Sequence, residues 1–146
     1  MPERVVFDTN VVVAGLLWRG KAHQCLLLAR AGIVEAVYCE ETIAELADVL
    51  RRKFRFSDRR VRGAVREVER FGTEVEISGE LRAVPADEDD DKFVECAVVG
   101  RAGTIVSGDH HLLSLAKYDD IQIVSPAEFV VWAAQRPRPA TRPGRE

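Results

Sequence analysis

Short apolar runs of four to six residues alternate with stretches of helical periodicity, and this alternation is the tightest constraint on the fold. Residues 4–7, 34–39, 74–77, 104–107 and 121–124 read as strands. Val5-Val6-Phe7 and Ile105-Val106 show no polar alternation, as expected of strands buried on both faces. Residues 11–17, 22–31, 40–54, 58–71, 91–102 and 125–135 read as helices. In 40–54, Ile43, Leu46, Ala47, Leu50 and Phe54 share one face. Acids open that helix and Arg51, Arg52 and Lys53 close it, as the helix dipole favours. The pattern predicts an α/β layered fold around a mainly parallel, five-stranded sheet. One domain is expected over residues 1–135. Residues 136–146 hold three prolines and no apolar period, which predicts a disordered basic tail.

Composition narrows the class. Apolar residues make up 47% of the chain and the net charge is −3, which excludes a mostly disordered protein. No apolar run approaches the ~20 residues of a membrane span. The first apolar run is broken at Asp8, so no signal peptide is expected, and the predicted location is cytoplasmic. Cys25, Cys39 and Cys96 form no CxxC or zinc pattern and read as buried free thiols. Charge is segregated. Residues 51–70 carry nine bases against three acids, and residues 74–95 carry nine acids against Arg82 and Lys92. Such segregation suits a polyanion-binding surface beside a cation-binding pocket, although a solvated helix followed by an acidic loop gives the same pattern.

The acids fall where a parallel sheet places ligands, at the carboxyl ends of its strands. Asp8 follows the first strand directly and Asp109 follows the fourth after one glycine. Asp90 and Asp91 open the helix leading into the fourth strand, and Glu45 lies in the helix after the second. Taken singly, Asp8 is also a helix cap, Asp109 a turn residue, 87–91 a solvated loop and Glu45 a surface residue. Taken together they need a counter-charge. Two carboxylates ~5 Å apart repel by roughly 3 kcal/mol at an effective dielectric of 20. An oxygen-only cluster suits Mg²⁺ or Mn²⁺ and points to phosphoryl-transfer chemistry.

These residues resemble the PIN domain. Asp8-Thr9-Asn10 after a hydrophobic strand is similar to its opening. Glu45-Leu46 is similar to its second acidic position, 91–97 (DKFVECA) to its third, and 105–109 (IVSGD) to its fourth. The likeness covers about residues 4–132 and is greatest to the VapC-like toxins of toxin–antitoxin pairs. It implies a three-layer α/β/α sandwich and a metal-dependent endoribonuclease. Asp8, Glu45, Asp91 and Asp109 would hold Mg²⁺ or Mn²⁺ for in-line attack of water on an RNA phosphodiester. It also implies a homodimer, silenced by an antitoxin protein that covers the acids.

Three consecutive aspartates leave the third position ambiguous between Asp90 and Asp91, and Asp91 fits the spacing to Ala97 best. Glu95, one turn on, is a candidate to join it. Thr9 and Ser107 are candidates to hydrogen-bond the aspartates or the phosphate, or to satisfy turn amides instead. Asn10 either orients Asp8 or caps the helix. Arg59, Arg62, Arg66 and Arg70 form a stripe suited to RNA phosphates or to solvent. Adjacent His110 and His111 point ~100° apart on a helix, which argues against a joint metal site. Trp18 and Trp132 read as core or dimer-interface anchors.

Two other readings remain in view. One is a catalytically weak PIN module that binds RNA or a protein partner. The other is an aspartate-based phosphatase or phosphoacceptor, which Asn10 in place of a second aspartate and Ser125-Pro126 in place of a lysine disfavour.

Overall fold

The computed structural model describes residues 2–136. Except for Arg136, the expected basic tail lies outside the described residues. The strands are β1 (Glu3–Phe7), β2 (Val34–Tyr38), β3 (Gly72–Glu74), β4 (Thr104–Val106), β5 (Lys117–Tyr118) and β6 (Ile121–Val124). The helices are α1 (Thr9–Leu17), α2 (Lys21–Arg30), α3 (Glu40–Phe54), α4 (Asp58–Phe71), α5 (Asp91–Gly100), α6 (His110–Leu115) and α7 (Pro126–Gln135).

One sheet has the order β3-β2-β1-β4-β6-β5. Its first five members are parallel and β5 is antiparallel to β6. The expected α/β fold with a mostly parallel sheet is therefore present, with six strands instead of five. The sixth, β5, is two residues long, too short to carry a period. The third strand pairs at Gly72–Glu74, earlier than residues 74–77. Helix α6 spans only six residues, too few to show an apolar period in the sequence.

Side-chain alternation divides the core into two layers. Val5, Phe7, Val34, Ala36 and Val106 pack with residues of α1, α2, α3, α4 and α7. Val6, Val37, Ile105, Ile121 and Ile123 face the other way, toward α5 and Leu112 of α6. With helices on both faces, continuous Val and Ile runs are what β1 and β4 require. Cys25, Cys39 and Cys96 are buried and free, as expected. Trp132 stacks on Phe129 at the core margin, whereas Trp18 is 57% exposed and edge-on to Phe54. Among the described residues no helix is long and apolar enough to cross a membrane.

One helix comes very close to the sheet. A Cβ on Gly100 at the end of α5 would lie 2.4 Å from Val37 Cγ1 in β2. Val37 is buried in the sheet and has no room to yield. Gly100→Ala gains about 1 kcal/mol of helix propensity against an overpacking cost of about 1–3 kcal/mol. A net loss of stability is expected in urea unfolding, partly recovered by Val37→Ala in the same chain. Unchanged stability of Gly100→Ala would contradict this packing.

Candidate metal centre

The strand ladder continues past the strand ends and sets the site. Asp8 N–H donates to Val106 O at 3.0 Å, and Ser107 N–H donates to Val124 O at 2.9 Å. Asp8 and Ser107 thus leave adjacent strands side by side. The Ser107 hydroxyl donates to Asp8 Oδ2, and Ser107 Oγ accepts Asp109 N–H at 2.9 Å. Asp8 Oδ1 accepts Val11 N–H at 2.9 Å, capping α1. Asp8 is therefore both cap and floor of the depression beyond the sheet edge.

That depression, about 590 Å³, is lined by Asp8, Asn10, Glu45, Asp87, Asp90 and Asp109, among others. Thr9 Oγ1 donates to Glu45 Oε2, and Lys92 Nζ lies 2.6 Å from Glu45 Oε1. Both oxygens of Glu45 are thereby engaged, and α3 is fastened to α1 and α5. Asn10 is exposed at the mouth.

The two candidates for the third acid part ways. Asp90 ends a 3₁₀ turn, Glu88–Asp90, and is 9% exposed. Its Oδ2 is buried with no hydrogen-bond partner. Asp91 does not line the depression, contrary to the expectation from spacing. Its Oδ1 accepts Ala83 N–H at 2.8 Å and Val84 N–H at 2.7 Å. Glu95 also faces this loop rather than the acids. It accepts from Ser78 N–H and Oγ–H at 2.7 and 2.8 Å, and from Gly79 and Leu81 amides. Asp91 and Glu95 lie one helical turn apart on one face and hold the 78–84 segment in place.

Burial pushes Asp8 up to about 6 despite the opposing bonds from Ser107 and Val11, and the charges of Asp109 and Glu45 push the same way. Asp90 is raised by burial and then by its neighbours Asp109, Asp87 and Asp8. Asp109 is lowered, first by the neighbouring Asp90 carboxyl and then, against its own burial, by the His111 amide. Glu95 loses by burial but gains more from Ser78, Leu81 and Gly79, and ends below the usual carboxylate range.

Two further residues stand beside the acids. One donor atom from each of Asp87, Asp90, Asp109 and His111 lies within 4.8 Å of the others. Neither Asp87 nor His111 was singled out as a ligand from the sequence. Asp87 was read as part of a solvated loop, and His111 as half of a divergent pair. This donor set, with a buried carboxylate oxygen lacking a partner, fits a divalent cation.

The arginine stripe is split by the fold. All four arginines are exposed, and Arg70 also lines a second depression with Pro2, Arg30, Gly32 and Val34. Pro2, Gly32 and Val34 mark the amino ends of β1 and β2, the sheet edge opposite Asp8. There Arg30 and Arg70 are both paired with Glu67.

The model of the PIN-domain family matches residues 4–111. Among solved structures, the crystal structure of PAE2754 from Pyrobaculum aerophilum is similar in fold, with a TM-score of 0.60 and 16% sequence identity. The alignment covers 93% of this chain and 100% of that one. None of the curated proteins compared by sequence matches the chain.

The raised carboxyls fix the sign of a pH effect. Unfolded Asp8 ionises near its ordinary value of 3.8, whereas in the fold it keeps its proton to about 6. The unfolded chain therefore binds fewer protons in this window, and stability falls as pH rises through it. That difference corresponds to about 3 kcal/mol. Glu95 has the opposite sign, because its contribution is lost as pH falls through its lowered value. The metal-free protein is thus expected to melt highest near pH 5 and lower at pH 7, with Asp90→Asn flattening the decline. A melting temperature rising from pH 5 to pH 7 in EDTA would contradict the crowded-carboxylate account.

Proposed function

The chain belongs to the PIN-domain family, and from that premise we propose that it is a Mg²⁺- or Mn²⁺-dependent endoribonuclease, the toxin of a toxin–antitoxin pair. Members of the family are generally nucleases, and the described fold carries an acidic cluster able to bind a metal. The observation that carries the proposal is the buried Oδ2 of Asp90, without a partner among other carboxylates. An oxygen in that position is stabilised by a proton or by a cation, and a bound cation would displace the proton.

In this reading Asp90 and Asp109 would hold the cation, with Asp8 and Glu45 beside them. Asp90 takes the place that spacing alone gave to Asp91. When bound there, a divalent ion would supply Lewis acidity toward the phosphate and would bring the pKa of a coordinated water down toward neutrality. Ser107 and the Val11 amide keep Asp8 oriented, and Thr9 and Lys92 do the same for Glu45. Asn10, exposed at the mouth, offers an amide to a phosphate oxygen. Arg52 and Lys53 line the same depression and offer positive charge to the RNA strand beyond the acids. Arg59, Arg62 and Arg66 form no ion pair among the described residues, which leaves them available to RNA backbone.

The toxin role rests on resemblance to the VapC-like proteins. It carries with it an antitoxin that covers the acids, a cytoplasmic location and a homodimer. Leu27 on α2 and Val131 on α7 are 44% and 55% exposed, on helices that pack together. They offer apolar surface to a second copy. The same fold without cleavage would be an RNA- or protein-binding module.

RNA cleavage with Mn²⁺ separates these readings. Asp90→Asn is expected to lower the rate about 100-fold or more, on the scale of losing one transition-state contact. Asp91→Asn is expected to cut within a few-fold of wild type, since an amide oxygen still accepts the Ala83 and Val84 N–H groups. No cleavage by wild type with either metal would favour the binding module. Loss of activity in Asp91→Asn but not Asp90→Asn would overturn the assignment.

A further inference from the structure

Resting on the metal-dependent reading above, we propose that the cation site is not oxygen-only. His111 supplies an imidazole nitrogen and Asp87 a further carboxylate, so the site favours Mn²⁺ over Mg²⁺.

The geometry comes from two short turns. Asp109 caps α6, and His111 N–H donates to Asp109 Oδ1 at 3.3 Å. The next residue, Leu112, is fully buried and anchors that turn. His111 Nδ1 therefore lies 3.9 Å from Asp109 Oδ1 and 3.9 Å from Asp87 Oδ2. Asp87 caps the 3₁₀ turn and accepts Asp89 N–H at 3.0 Å, which fixes it on the same side. His110 is excluded: its side chain is 82% exposed and does not belong to the group.

Donors on one ion at ~2.1 Å lie about 3.0 Å apart when adjacent and about 4.2 Å apart when opposite. The 3.9 Å separations fall within this range. The widest separation in the group, up to 4.8 Å, closes with movement of a few tenths of an ångström. The independent mark of a ligand is Asp90, nine-tenths buried, whose carboxylate belongs to this group and whose Oδ2 has no hydrogen-bond partner. Asp8 and Glu45 lie outside the group of four, and their oxygens are engaged by Ser107, Val11, Thr9 and Lys92.

Donor chemistry sets the preference. Mg²⁺ is hard, demands oxygen and keeps its waters. First-row transition ions accept imidazole nitrogen. One nitrogen among three carboxylates leaves enough oxygen for Mn²⁺ while penalising Mg²⁺. The later first-row ions should bind tighter still, in the usual order.

The test uses the RNA-free protein, with Mn²⁺ and Mg²⁺ as probes. Titration calorimetry at about pH 7.5, where an ordinary imidazole is neutral, gives both dissociation constants. Pulsed electron paramagnetic resonance of bound Mn²⁺ reports directly coordinated nitrogen. Wild type is expected to bind Mn²⁺ at least about tenfold more tightly than Mg²⁺ and to show nitrogen modulation. His111→Ala should lose the modulation and weaken Mn²⁺ about 10–100-fold, on the scale seen when ligand environments are disturbed. His111→Asp, which restores an oxygen, should bring the two metals to similar affinity. Mn²⁺ bound without nitrogen modulation, and equally by wild type and His111→Ala, would overturn this inference while leaving the metal-dependent reading intact. Failure of wild type to bind either ion at millimolar concentration would overturn both.

Discussion

Crowding of like charge at the carboxyl edge of the sheet is the constraint on which the rest depends. Parallel pairing of β1 with β4 places Asp8 beside Ser107, and the turn after Ser107 brings Asp109 back toward them. The turn before α5 adds Asp90 from the opposite side of the depression. Each step follows from backbone hydrogen bonds that are satisfied independently of the acids. The repulsion among the carboxylates is thus imposed by the fold, and it appears as raised proton affinity at Asp8 and Asp90. A protein interior rarely tolerates such groups without a function for them.

The surroundings restrain the cluster rather than relax it. Ser107 and the Val11 amide hold Asp8, while Thr9 and Lys92 hold Glu45. Asp91 and Glu95, acids of the same helix, hold the loop that covers the far side of α5. Acidic residues in this chain therefore do two kinds of work. Those at strand ends and the 3₁₀ turn converge on open space, and those one residue further along bind backbone amides.

The fold was legible because its strands are continuous apolar runs and its helices carry a clear 3.6-residue period. Elements without room for a period were not: β5 has two residues and α6 has six. In the site, Asp8 and Asp109 stand where strands end, whereas Glu45, inside α3, was reached through its likeness to the second acidic position of the family. The choice between Asp90 and Asp91 did not, because spacing alone does not separate neighbours in a run of aspartates. A signal was present all the same. Asp91 and Glu95 share a face at i and i+4, so both turn the same way, and that face meets the 78–84 loop. Asp87 and His111 gave no sequence signal, since each joins the acids only through a turn outside the main elements.

The central claim is that a divalent cation sits between Asp90 and Asp109. Anomalous diffraction from crystals of the protein grown or soaked with Mn²⁺ tests it directly. The account predicts one strong peak within ordinary coordination distance, about 2.2 Å, of Asp90 Oδ2 and an Asp109 carboxylate oxygen. A peak on Asp91, or none at this edge of the sheet at saturating Mn²⁺, would contradict it.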